Sequence, residues 1–167
     1  MPHILQGLTA ECPLGSATQW RTIARALQRV VQERVMPIRI LIADDDPAIR
    51  NLFRRLLEAQ PNWQVCGEAV NGFDAVEQVK QIAPDLAILD LGMPLMNGIE
   101  AAREISQRNP ALPLLLISVQ EMSDQLVEAA RNAGFKGAIT KSRGREVVAG
   151  VEAVLHDELF FSRDESR

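Results

Sequence analysis

The feature that most constrains this chain is an alternation. Runs of β-branched and apolar residues at 38–43, 63–70, 85–90, 112–118 and 135–140 are each followed by a stretch whose apolar residues recur at helical spacing. The first stretch carries Leu52, Phe53, Leu56 and Leu57 and stops near Pro61; the second carries Phe73, Val76 and Val79 and stops before Pro84. Further helices are predicted over 98–108, 122–133 and 145–157, the last with Val147, Val148, Val151, Val154 and Leu155 as its stripe. Asp46 and Pro47 read as an N-cap and a first helical residue, while Asn109-Pro110 and Gly134 read as stops. Strict strand–helix alternation predicts an α/β fold built on a doubly wound, five-stranded parallel sheet. The apolar run 114–117 shows no alternation, as a parallel strand covered on both faces requires.

In such sheets ligands bind outside the carboxyl ends of the strands, where the strand order reverses. The residues that terminate the runs therefore carry the chemistry. They are Asp44 and Asp45, then Asp90, then Ser118, then Lys141. Taken singly, each has a bland reading: a solvated acidic turn, a helix cap, a surface lysine, a serine bonded to its own backbone. Their common placement at one sheet edge points to a shared site. Three carboxylates in one pocket repel unless a cation sits among them, and a hard divalent ion such as Mg2+ suits oxygen donors. Carboxylate, Mg2+, the ammonium of Lys141 and the hydroxyl of Ser118 together suit phosphoryl transfer, with a central Asp as nucleophile. Adjacent residues of a regular strand point to opposite faces, so Asp44 and Asp45 can share a pocket only if the chain already bends at Asp45. Phe135 is expected in the core. His3 and His156 are expected to be exposed, and Arg143 and Arg145 to be solvated and not phosphate-binding.

Composition excludes several classes. With 167 residues, 47% hydrophobic and 24% charged, the chain is globular and long enough for a full core. A net charge of −4 argues against a nucleic-acid-binding surface on this chain. Cys12 and Cys66 are too few for a disulfide scaffold and lack metal-site spacing. No apolar run approaches the roughly 20 residues of a membrane span, and the N-terminus lacks a secretory pattern, so a cytoplasmic location without membrane contact is expected. Residues 1–15 show no period. Over 17–35, Trp20, Ile23, Leu27, Val31 and Val35 form an amphipathic helical stripe stopped by Pro37. That helix packs on its own domain, forms a homodimer or partner contact, or precedes a biological start at Met36; the sequence leaves the three open.

The motifs Leu41-Ile42-Ala43-Asp44-Asp45, Leu89-Asp90-Leu91-Gly92-Met93-Pro94-Leu95-Met96-Asn97-Gly98, Ile117-Ser118 and Ala133-Gly134 through Lys141-Ser142 occur in the order and spacing of the receiver domain of two-component response regulators. Residues 38–157 resemble that family, most closely its NarL/FixJ class. The resemblance implies a flavodoxin-like, CheY-like (βα)5 domain over 37–158, between an N-terminal extension over 1–36 and a tail over 159–167. It implies that Asp90 is the phosphoacceptor, with Lys141 and Ser118 on the phosphoryl group. Asp45, Asp90 and the backbone carbonyl of Gly92 would bind Mg2+ directly, and Asp44 through water. The phosphodonor would be a sensor histidine kinase or a phosphotransfer protein. No catalysis beyond the domain's own phosphorylation and dephosphorylation is expected.

Three departures from the family pattern stand out. Ala138 falls where the family carries a switch aromatic, Val119 replaces a smaller residue after the hydroxyl, and an end at Arg167 leaves no room for a DNA-binding domain. Leu159-Phe160-Phe161-Ser162 resembles the point where the class leaves its receiver, so one alternative is the receiver part of a DNA-binding transcriptional regulator. A Mg2+-dependent phosphohydrolase of the haloacid dehalogenase type is another, but it wants an acid two residues after the nucleophile, where this chain has Gly92.

Overall fold

A computed structural model describes residues 36–161. The helical stripe of 17–35, His3 and Cys12 lie outside the described residues. The strands are β1 (Ile38–Ala43), β2 (Trp63–Ala69), β3 (Leu86–Asp90), β4 (Leu114–Ser118), β5 (Gly137–Thr140) and β6 (Phe160–Phe161). The helices are α1 (Pro47–Glu58), α2 (Gly72–Ile82), α3 (Gly98–Arg108), α4 (Asp124–Ala133) and α5 (Val147–Leu155). All strand pairs are parallel, in the order β2-β1-β3-β4-β5-β6. The order reverses between β1 and β3, so the carboxyl ends of those two strands flank the natural ligand crevice. No helix among the described residues is long and apolar enough to cross a membrane.

The period-two alternation of each strand feeds two cores. Leu41 and Ala43, Ala87 and Leu89, and Leu114 and Leu116 face one side, where they meet Val76 and Val79 of α2, Ile105 of α3 and Ala130 of α4. Ile40 and Ile42, Leu86 and Ile88, and Leu115 and Ile117 face the other, against Phe53 and Leu57 of α1 and Val147, Val151 and Val154 of α5. The central strands are therefore apolar on both faces. Helix starts follow the side chains that can cap them. Asp46 accepts from Ala48 N, Asn71 from Asp74 N and Ser123 from Leu126 N, and Asn97 with Glu100 forms a reciprocal capping box. The cap at Ser123 starts α4 two residues after the expected Met122.

Two elements differ from expectation. A 3-10 turn over Lys141–Glu146 precedes α5, where one helix from 145 was expected. The sheet also has six strands in place of five. After α5, Phe160 N–H donates to the Lys136 carbonyl at 3.0 Å, and Phe160 and Phe161 pair with Gly137 and Ala138. Lys136 also pairs with Asp157. Glycine permits this close approach: a Cβ on Gly137 would lie 2.6 Å from the Phe160 carbonyl, and one on Gly150 would lie 3.3 Å from its ring. Phe161 packs on the core beside Ala138, and the guanidinium of Arg131 on α4 lies 4.7 Å from its ring centroid. A two-residue strand has too few residues to show a period, so it left no pattern to read.

Gly137→Ala is expected to lower the unfolding free energy by about 1–3 kcal/mol, because neither the Phe160 backbone nor Leu115 can yield cheaply. Urea titration with hydrogen exchange checks it: the Phe160 amide loses protection. An unchanged midpoint with Phe160 still protected would refute the tight fit.

Candidate functional site

The β1–α1 turn solves the problem of two adjacent acids. Asp44 leaves the sheet with its N–H still bonded to the Ala69 carbonyl at 3.1 Å. Its side chain is wholly buried, and its Oδ1 accepts the N–H of Asp46 at 2.9 Å. This Asx-type bond folds the chain at Asp45, as the sequence required. Asp45 is exposed, yet one oxygen each from Asp44, Asp45 and Asp90 lie within 4.8 Å of one another.

Asp90 ends β3 and is 3% exposed. Its Oδ2 accepts the Gly92 N–H at 3.1 Å. The loop then doubles back, with Gly98 N–H donating to the Leu91 carbonyl at 3.2 Å. A Cβ on Gly98 would stand 2.3 Å from the Asp90 carbonyl oxygen, so only glycine fits there. Leu95, at the tip, has φ of 67° and is 82% exposed, a left-handed conformation that costs a branched residue roughly 1 kcal/mol. The capping box at Asn97 and Glu100 fixes the return into α3.

Lys141 follows β5 and reaches into the acid cluster. Its Nζ lies 2.7 Å from Asp44 Oδ2 and 3.1 Å from Asp90 Oδ1, with only 11% of the side chain exposed. Ser118 ends β4 at 1% exposure, opposite Thr140. Its Oγ accepts the Gln120 N–H at 2.9 Å. The local backbone bond that was the bland alternative therefore exists, but it occupies a lone pair and leaves the O–H free to donate.

Burial pushes the Asp90 carboxyl up from its ordinary range, and the neighbouring Asp44 charge adds to this; Lys141 and the Gly92 N–H oppose them without cancelling. Burial works to lower the Lys141 ammonium, but Asp44 and Asp90 outweigh it and hold the group above its usual value. Asp44 Oδ2 is buried with no hydrogen-bond partner beyond that ion pair. Three carboxylates therefore gather around one ammonium. These are the donors and the charge deficit that a small divalent cation fits.

The remaining candidates separate cleanly. Phe135 and Ala138 are core residues at 3% and 0% exposure, while Val119 is exposed at the rim. His156 is exposed, with Nδ1 2.8 Å from the Glu152 carbonyl oxygen. Arg143 pairs with Glu146, and Arg145 is exposed. Cys66 is half-buried, and burial raises its thiol. Arg50 had no special signal beyond its place on the polar face of α1. It nonetheless donates from Nη1 to the Asp44 carbonyl at 2.7 Å.

Because the Asp90 carboxyl is raised in the folded chain, the folded state holds that proton more tightly than the unfolded one. Ionised Asp90 therefore costs stability at neutral pH, and the cost fades as pH falls through its raised value. Asp90→Asn is expected to melt above the parent at pH 7 without Mg2+, with the gap closing on acidification. Thermal melts across that range check it. A lower melting point at pH 7 would show that Lys141 fully offsets the burial.

Residues 40–151 match the response regulator receiver domain family. The chain is 36% identical over 110 residues to a protein-glutamate methylesterase/protein-glutamine glutaminase of Treponema denticola, covering 65% of this chain and 30% of that protein. It is 33% identical over 125 residues to an uncharacterized transcriptional regulatory protein of Bacillus subtilis, covering 74% and 57%. Among solved structures it resembles a two-component response regulator of the LuxR family from Aurantimonas, with a TM-score of 0.73, 33% identity and coverage of 77% and 91%. The match thus spans about a third to little more than half the length of these curated relatives. With this fold, the acid cluster at its switch point and a family match over most of its sheet, the chain belongs to the response regulator receiver domains, the phosphoacceptor modules of two-component signalling.

Proposed function

We propose that Asp90 accepts the phosphoryl group and that Asp44, Asp45, Lys141 and Ser118 serve that one step. The observation that carries this reading is the convergence of three carboxylates and one ammonium where the strand order reverses. Asp45, Asp90 and the Gly92 carbonyl would hold Mg2+ directly, with Asp44 acting through water. When bound, the ion supplies positive charge against the phosphoryl oxygens.

A carboxylate oxygen of Asp90 attacks phosphorus in line with the departing imidazole nitrogen of the donor. The P–N electron pair returns to the imidazole as the P–O bond forms. Lys141 already touches Asp90 and needs little movement to meet a phosphoryl oxygen. The free O–H of Ser118 donates to another. Gly92 N–H holds the carboxylate in place before attack.

The donor is a sensor histidine kinase or a phosphotransfer protein, and the location is the cytoplasm. The receiver spans 37–161, taking in β6, with 1–36 as a separate extension. A second reading is favoured by likeness to the Bacillus relative named as a transcriptional regulatory protein: the chain is then the receiver part of a DNA-binding regulator. Contact between copies is tested by gel filtration of the full chain against one starting at Met36.

Incubation with acetyl phosphate and Mg2+ is expected to place one phosphoryl group on Asp90, seen by mass spectrometry after borohydride trapping. Label on another residue would overturn the assignment. Ser118→Ala is expected to keep Mg2+ binding while slowing phosphorylation by about 100-fold, the usual loss for one donor to a developing oxyanion. Equal rates would remove Ser118 from the step.

A further inference from the structure

Asp45 presents a structural problem. It lies with Asp44 and Asp90, yet its carboxylate is exposed and accepts no hydrogen bond from another side chain or backbone N–H among the described residues. Its place is therefore set by the backbone of the turn alone. That backbone is fixed at the Asp44 N–H by Ala69, at the Asp46 N–H by Asp44 Oδ1, and at the Asp44 carbonyl by Arg50. Arg50 is the fourth residue of α1, and its N–H closes the first helical turn on the Asp46 carbonyl at 3.1 Å. Only 14% of its side chain is exposed. Nη1 donates to the Asp44 carbonyl at 2.7 Å while Nε donates to Glu68 Oε2 at 3.1 Å.

We infer that Arg50 is a positioning residue for the acid pocket: it fixes the Asp44–Asp45 peptide, and Glu68 aims it. This rests on reading the acid cluster as a Mg2+ site. Rotation of that peptide would leave the Asp44 carbonyl without its charged donor and would swing Asp45 away from its two companions.

The sequence builds the aiming device at a distance. The β1–β2 register shifts between Ile40 and Leu41, so that Ile40 pairs with Val65 and Leu41 with Gly67, and Cys66 is the extra residue. A bulge of one residue reverses which face each later side chain takes. Val65 accordingly packs in the α1–α5 core and Ala69 in the opposite one. Glu68 is thereby turned toward α1. There Arg50 holds one carboxylate oxygen and Arg54 the other, with Arg54 Nη2 2.6 Å from Oε1. Burial would raise the Glu68 carboxyl, but Arg54 and Arg50 together hold it below its ordinary range, so it stays charged. Arg54 touches no part of the acid turn; it pairs with Glu58 instead. Nature thus supplies its own control: two arginines on one carboxylate, only one of which reaches the pocket.

The test is a Mg2+ titration of the full-length chain without phosphodonor, read from the backbone amide shifts of Asp45 and Gly92. Arg50→Gln is expected to weaken Mg2+ about tenfold, measured at a temperature where the metal-free variant is fully folded, as loss of a partner behind a metal ligand typically does. Arg54→Gln is expected to remain within about twofold of the parent, since it loses only its partly exposed pairs with Glu58 and Glu68 and no bond to the acid turn. Parent-like affinity in Arg50→Gln would overturn the inference, and so would an equal loss in both variants. If Arg50→Gln does not fold, Arg50→Lys takes its place. An ammonium cannot serve Asp44 and Glu68 in one fixed fork, so affinity should fall, and parent-like binding would again overturn the inference. If the parent itself binds no Mg2+, the metal reading fails first; if the parent binds and Arg50→Gln binds equally, only the role of Arg50 fails.

Discussion

The ion pairs of Lys141 with Asp44 and Asp90 are the contact on which the rest of the site depends. Parallel strands covered on both faces can end in charge only where the covering layers part, and here they part at the reversal between β1 and β3. Two buried carboxylates side by side would not both stay ionised without a neighbour of opposite sign. Lys141 supplies one positive charge to three negative ones, which keeps the fold tolerable and the pocket unsatisfied. An arrangement with a second lysine would be calmer and would have less use for a cation.

Much of this was legible in the chain. Continuous apolar runs such as Leu114–Ile117 pointed to the parallel sheet, and the polar residues that end them to the pocket. The bend at Asp45 was legible too, since two adjacent acids can meet only where a strand has stopped. Other parts were not legible, for physical reasons. Phe160–Phe161 is a strand by virtue of Gly137 and Gly150, glycines of other elements that leave it room. Arg50 resembles any solvated helix arginine until the bulge at Cys66 turns Glu68 toward it. Tertiary contacts of this kind leave no trace in local periodicity.

The loop after Asp90 shows how strain and order are combined. Gly98 allows the backbone to pass over Asp90, and the Asn97–Glu100 box clamps the far end. Leu95 then takes a left-handed conformation at the exposed tip, where glycine or asparagine would rest more easily. The loop is held at both ends and bowed between them, so Gly92 keeps its N–H on the acceptor carboxylate.

Phe161 is paired to β5 at Ala138 and lies under Arg131 of α4, so it touches two elements that belong to different layers. A small residue at 138 and an aromatic one at 161 amount to a single wall shared between two strands. The chain therefore reaches Phe161, the last described residue, on a footing that is both sheet and helix.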